Sequence, residues 1–217
     1  MHSKAVLFDF DGTLADTAPD LGAALNSLRA EHGLAALPIE TLRPFASSGA
    51  RGLLRGGFDM PPEDARYEAM RDAFLSHYDR NVCVGTQLFP GIRELLAQLE
   101  RRGLPWGIVT NKSSRFTARI VAALGLDGRP ACVVCGDTTP HLKPHPAPLL
   151  HAARELQLDP AQCCYVGDDL RDVQAARAAG MRSVAVEYGY SANDHGGPHR
   201  WNADVVIARP ADLIALL

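Results

Sequence analysis

The chain has 217 residues, 47% of them hydrophobic and 22% charged, a composition that excludes disorder, collagen-like repeats and a membrane protein. Its length fits one core domain carrying a modest insert. With 22 Lys+Arg against 25 Asp+Glu the formal charge is −3, so no overall basic field attracts a phosphate backbone, and nucleic acid is not an expected partner.

No apolar run reaches the roughly 20 residues that span a bilayer. The opening run Ala5–Phe8 meets Asp9 too soon for a signal-peptide apolar region. A cytoplasmic protein without a membrane partner, monomer or homodimer, is expected. Five cysteines, at 83, 132, 135, 163 and 164, are an odd number that argues against a disulfide framework, so buried thiols are expected. Cys132 and Cys135 have the spacing of a zinc or redox pair, but Val133 and Val134 between them read as a buried strand.

In chain order, the first strand is predicted over Ala5–Phe10, short, apolar and covered on both faces. Asp9 and Asp11 emerge at its carboxyl end, where Gly12 permits a sharp turn and Thr13 either buttresses the loop or serves as a plain turn residue. Two acids this close repel one another, and a divalent cation relieves the repulsion; hard oxygen ligands of this type suit Mg²⁺.

From about Asp16 to Thr86 the strand rhythm stops. Helical patterns cover Leu21–Glu31, Gly49–Gly57 and Glu63–Tyr78, the last carrying Ala65, Ala69, Ala73 and Leu75, with Pro61-Pro62 read as a helix start. This is an inserted helical subdomain, because a crossover between two strands does not need 70 residues. Rooted at the ligand-binding end of the sheet, it is expected to cover the site.

Strands then recur at Trp106–Thr110, Ala131–Cys135, Cys163–Val166, Ser183–Val186 and Asp204–Ile207. Helices are predicted at 91–102, 114–124, 146–156 and 171–179, with Gly103, Gly125 and Gly180 as left-handed caps. Alternation of this kind implies an α/β fold, a Rossmann-like parallel sheet with right-handed crossovers. The expected division is a core of residues 1–15 and 87–217 with an insert of 16–86.

Further polar motifs follow the later strands. Thr110-Asn111-Lys112 brings a hydroxyl and backbone amides to the same sheet edge, a cradle for a phosphoryl group. Lys143 stands in a proline-stiffened loop, and Gly167-Asp168-Asp169-Leu170-Arg171-Asp172 places three carboxylates after the fourth strand. Four such motifs at one edge point to a site rather than to four unrelated turns.

Taken together, these motifs resemble the haloacid dehalogenase superfamily of phosphohydrolases over essentially the whole chain. The helical insert resembles its C1 cap, and the length its phosphoglycolate phosphatase branch. The resemblance implies that Asp9 is the nucleophile, Asp11 the general acid and base, Thr110 and Lys143 the phosphate binders, Asp168 a metal ligand and Asp172 a supporting acid.

Elementary chemistry agrees: a carboxylate nucleophile splits phosphoester hydrolysis in two, and Mg²⁺ held by Asp9, the Asp11 backbone carbonyl and Asp168 offsets anion–anion repulsion. Asp169, where many relatives carry Ser or Gly, has three readings: the metal's outer shell, a helix cap, or solvent. Asn111 is read as a phosphate-side contact, and Lys112 as orienting phosphate or simply beginning a helix.

Substrate choice is assigned to the insert, where Ser47-Ser48-Gly49-Ala50-Arg51 opens a helix and Arg51 suits a substrate carboxylate, against the alternative of a capped helix with a solvated arginine. That favours phosphoglycolate. The SSGAR, WGIVTNK, VGDDLRD and YGY stretches are also similar to the N-acetylmuramic acid 6-phosphate phosphatases of that branch. A sugar phosphomutase is the nearest enzymatic rival. A receiver-like signalling module carries its acceptor Asp on the third strand, and a binding module would have lost Asp9 or Asp11; neither fits. The Tyr188–Trp201 loop reads as a polar surface segment.

Overall fold

The structure, a computed structural model, describes residues 3–191 and 194–217. In chain order the elements are β1 (Ala5–Phe8), β2 (Ala15–Asp16), α1 (Ala18–Glu31), α2 (Ile39–Ala46), α3 (Gly49–Phe58), α4 (Tyr67–Arg80), β3 (Gln87–Leu88), α5 (Ile92–Arg101), β4 (Trp106–Val109), α6 (Ser114–Ala123), β5 (Val133–Val134), α7 (Ala147–Glu155), β6 (Cys163–Gly167), α8 (Leu170–Ala178), β7 (Arg182–Val186) and β8 (Val205–Ile207), with short 3₁₀ turns late in the chain. Six strands form a sheet in the order β5-β4-β1-β6-β7-β8, and all its pairs are parallel.

The fold is therefore the α/β architecture expected. Every residue of β1, β4 and β6 is buried, which explains their unbroken apolar sequences: a parallel strand has no polar face. Beneath the sheet's central strands Phe8 and Trp106 meet edge to face at 6.5 Å, and the Trp106 indole N–H donates to Glu100 at 3.1 Å. The chain builds outward from β1 on one side through β4 and β5, then on the other through β6, β7 and β8. β1 therefore lies at the topological switch point, where loops diverge and leave a crevice at the strands' carboxyl ends.

The chain divides into two compact units, Met1–Ala15 with Leu88–Leu217, and Asp16–Gln87. In the second, α1 packs against α2, α3 and α4. The backbone carbonyl of Phe45 approaches Gly52 so closely that a Cβ there would lie 2.2 Å from the oxygen, which lets α2 and α3 pack tightly.

Three details differ from expectation. Helix α2 is not among the predicted elements; it contains Pro44 and is only eight residues long. Pro61 and Pro62 lie in a run of turns, and α4 begins only at Tyr67. Its buried face is Tyr67, Met70, Phe74 and Tyr78 rather than the alanine series, because the large side chains at this i, i+3, i+7, i+11 spacing have more apolar area to remove from water.

Strand β5 is two residues long, an edge paired only with β4, and Val133 is 38% exposed. Gly103, Gly125 and Gly180 take positive φ at the helix ends as anticipated. All five cysteines are free thiols, and burial, then the charge of Glu155, pushes the Cys132 thiol up to about 12, which opposes thiolate chemistry. No helix among the described residues is long and apolar enough to cross a membrane.

Candidate active site

The site grows from the last backbone hydrogen bond of β1. Asp9 N–H donates to the Val166 carbonyl of β6 at 2.8 Å, so ladder pairing continues one residue past the strand and fixes the Asp9 backbone. The chain then turns: the amides of Leu14 and Ala15 both donate to Phe10 O, at 3.0 and 2.9 Å. Gly12 makes this possible. Its φ is +84°, and a Cβ there would lie 2.2 Å from Asp168 Oδ2, so both backbone and space demand glycine.

Asp168 follows β6 and is fully buried. Thr13 Oγ1 donates to its Oδ1 at 3.1 Å and the Tyr190 amide to its Oδ2 at 2.8 Å. Gly189 closes over it from the other side, where a Cβ would stand 2.1 Å from the Asp168 Cβ. Thr13 is thus the buttress of the two readings. The Tyr188–Trp201 loop is also not the polar surface segment expected: Tyr190, Ser191, Pro198 and Trp201 are buried, and its first residues pack on Asp168. Positions 192 and 193 of that loop lie outside the described residues.

Lys143 is 4% exposed. Its ammonium donates to Asp9 Oδ1 at 2.8 Å, to Asp172 Oδ1 at 2.8 Å and to the Tyr165 hydroxyl at 2.7 Å. Burial alone would push the ammonium's pKa down; Asp172 and Asp9 outweigh it and hold it up. Asp172 also accepts the Asp169 amide at 3.1 Å through its other oxygen, so one buried carboxylate both closes the capping box of α8 and anchors the lysine.

Asp9, Asp168 and Asp172 each offer an oxygen within 4.8 Å of the others. Burial pushes Asp9 up to about 7, aided by Asp172 and Asp11 and opposed by Lys143. Asp168 is raised well above the ordinary carboxylate range, first by burial and then by Asp9 and Asp172. Three crowded carboxylates against one ammonium leave uncompensated negative charge on hard oxygen donors, a donor set that fits a small divalent cation such as Mg²⁺.

The remaining candidates divide. Asp11 pairs with Lys112 at 2.9 Å, with side chains 15% and 9% exposed; neither reading of Lys112 anticipated this partner. Thr110 is buried beside them, and its Oγ1 accepts the Lys112 amide at 3.2 Å. Asn111 holds the loop of Lys143. Its side-chain amide donates to Lys143 O at 3.0 Å and its oxygen accepts the Lys143 amide at 2.9 Å, clamping the lysine's backbone.

Asp169 caps α8 and accepts from Arg171 Nε at 2.9 Å and Nη2 at 2.8 Å, and from Ser191 Oγ at 3.2 Å. Burial would raise its pKa, but Arg171 holds it below the usual value. Of its three readings, the helix cap is the one observed. In the second unit, Ser48 precedes α3 without bonding its amides through the side chain, and Arg51 is exposed on that helix.

Sequence reasoning missed Tyr165, Tyr190 and Gly189. Tyr165 reads as one more apolar strand residue, and the other two lie in a loop whose polarity suggested the surface.

Comparison with known proteins meets this geometry. Residues 6–186 match the family model of the haloacid dehalogenase-like hydrolases. An N-acetylmuramic acid 6-phosphate phosphatase of Pseudomonas putida is 46% identical over 213 residues, 98% of this chain and 95% of the relative. A phosphoglycolate phosphatase of Xanthomonas campestris pv. campestris is 45% identical over 210 residues, 97% and 94% of the two chains. A crystal structure from Haemophilus somnus, described as a predicted phosphoglycolate phosphatase, superposes with a TM-score of 0.87 at 27% identity, covering 100% of this chain and 98% of that one. The chain therefore belongs to the haloacid dehalogenase-like hydrolases and is an enzyme, a phosphatase, of that family.

Proposed function

We propose that this phosphatase hydrolyses a small phosphorylated carboxylic acid in two steps, through an aspartyl phosphate on Asp9 and with Mg²⁺ as cofactor. The observation that carries the reading is the Lys143 ammonium lying 2.8 Å from both Asp9 and Asp172. It is a buried cation beside a nucleophile, where transferring phosphoryl charge needs neutralising.

An Asp9 oxygen attacks phosphorus; the new O–P bond forms as the ester P–O bond breaks, and Asp11 delivers a proton to the leaving oxygen. Asp11 then takes a proton from water, whose oxygen attacks phosphorus and releases Asp9 and inorganic phosphate. Thr110 and Lys143 hold the phosphoryl oxygens, while Asn111 acts on phosphate only by fixing the backbone of Lys143. Asp9, Asp168 and the Asp11 backbone carbonyl would hold Mg²⁺, with Asp172 beside them. When bound, the ion supplies positive charge that offsets repulsion between the anionic nucleophile and the anionic ester.

Phosphoglycolate is the first substrate reading. N-acetylmuramic acid 6-phosphate is the second, favoured by the 46% identity with the P. putida relative; both molecules carry a carboxylate for Arg51. Five free thiols support a cytoplasmic setting.

The test compares kcat/KM for the two acids, for glucose 1-phosphate and for p-nitrophenyl phosphate. Asp9→Asn is expected to lose at least ~10³-fold for every substrate, since it removes the nucleophile. Phosphate release within tenfold of the parent would overturn the assignment, and formation of the 6-isomer from glucose 1-phosphate would redirect it to a mutase.

A further inference from the structure

Three N–H bonds leave the Lys143 ammonium, and three acceptors meet them: Asp9 Oδ1 at 2.8 Å, Asp172 Oδ1 at 2.8 Å and Tyr165 OH at 2.7 Å. The Tyr165 hydroxyl in turn donates to the Val109 carbonyl at 2.7 Å. Asp172 Oδ1 lies farther from the hydroxyl, at 3.3 Å, so the shorter bond directs the proton to β4 and leaves the oxygen to accept from the lysine. Val109 immediately precedes Thr110, the other proposed phosphate holder.

Tyr165 stands on β6, Val109 on β4, and β1 runs between them. The side chain therefore reaches past β1 to join the loop of Lys143 to the strand end that carries Thr110. The ring is 1% exposed, and the ammonium also lies 5.3 Å from its centroid.

We infer that Tyr165 is a positioning residue of the phosphoryl site. Its hydroxyl and Asp172 fix two of the three ammonium bonds, so that the third, now on Asp9, is the one passed to a phosphoryl oxygen. The same hydroxyl, through Val109, sets the separation of Lys143 from Thr110. This inference rests on the phosphatase reading of Asp9 and Lys143 and adds to it a residue on which catalysis depends but which does not meet the substrate. A phenylalanine would fill the same volume and leave both Lys143 and Val109 O without this partner.

The experiment uses Tyr165→Phe and inorganic phosphate as the probe. Loss of a hydrogen bond to a charged group should weaken phosphate binding, measured by calorimetry with Mg²⁺ present, by roughly 10-fold. The kcat/KM values for phosphoglycolate and p-nitrophenyl phosphate should fall by that same factor, because leaving-group chemistry is untouched. A residue that merely supports the fold would lower the melting temperature and leave phosphate affinity unchanged.

A second measurement needs no variant. Only Lys4, Lys112 and Lys143 are lysines in this chain, so ¹⁵N-lysine spectra of the parent enzyme should resolve the Lys143 ammonium. Its protons should be protected from solvent exchange and stay protected when phosphate saturates the site. Phosphate affinity within twofold of the parent in a folded Tyr165→Phe, or loss of that protection on phosphate binding, would overturn the inference. A parent enzyme that releases no phosphate from any ester would instead overturn the phosphatase reading on which it rests.

Discussion

At the residue scale, the pocket is a problem of charge. Asp9, Asp168 and Asp172 crowd together with Lys143 among them, and burial lifts Asp9 to about 7 and Asp168 well above its ordinary value. A carboxyl whose pKa is raised by folding stabilises the fold fully only below the unfolded value, about 4. That contribution is lost as pH rises through the folded value. Without metal, the melting temperature should therefore fall between pH 5 and pH 8. A divalent cation takes the place of the missing protons, so Mg²⁺ should raise the melting temperature more at pH 8 than at pH 5. Calorimetric scans with and without the ion at both pH values check this, and an equal Mg²⁺ effect at both would show that these carboxyls are not where it binds. Ca²⁺ should also stabilise the protein, yet it should not support turnover, because its larger and less regular oxygen shell spoils in-line geometry.

At the scale of elements, the second unit is held by a carboxylate that no catalytic motif includes. Asp20, in the first turn of α1, is 5% exposed. It accepts the amides of Val84, Gly85 and Thr86 at 3.0, 2.7 and 2.9 Å and the Thr86 hydroxyl at 2.6 Å. It thereby ties the start of this unit to its last residues. Asp20→Ala would leave those donors without their acceptor, at an expected cost of about 2 to 4 kcal/mol, and Asp20→Asn, which keeps one oxygen, roughly half as much. Urea unfolding measures both; a loss below ~1 kcal/mol for the alanine variant would mean water replaces the carboxylate at little cost.

What could be read from the sequence divides along the same physical line. Strands β1, β4 and β6 are buried on both faces and so spell continuous apolar runs, and Asp9 and Asp168 stand where those runs end. Short-range pattern carried that much. Helix α2 was invisible because eight residues with an internal proline give too little periodicity. The Asn111 clamp spans 32 positions and the Tyr188 to Thr13 hydrogen bond 175. Neither residue type announces such a partner, because the topology makes the pairing and the local chain does not.

At the scale of the molecule, chemistry and selectivity are assigned to different parts of the chain. Every side chain described around Asp9 belongs to the unit formed by Met1–Ala15 and Leu88–Leu217, and the proposed reaction uses them on the phosphoryl group, which all phosphomonoesters share. None of those contacts distinguishes glycolate from an aryl alcohol, so selectivity is sought in the other unit. Arg51 lies on α3, its side chain exposed. Removing an exposed helix residue should change stability by no more than ~0.5 kcal/mol, so Arg51→Ala reports on recognition rather than on folding. If its guanidinium meets the substrate carboxylate, kcat/KM for phosphoglycolate or N-acetylmuramic acid 6-phosphate should fall roughly 10- to 100-fold, the worth of a charge-assisted hydrogen bond. p-Nitrophenyl phosphate, which has no carboxylate, should change less than about twofold, since the steps at Asp9 are common to all three esters. An equal fall for every substrate would place the damage in phosphoryl binding, and no fall for any would leave Arg51 a solvated helix residue and move the search for the carboxylate partner to other side chains of Asp16–Gln87.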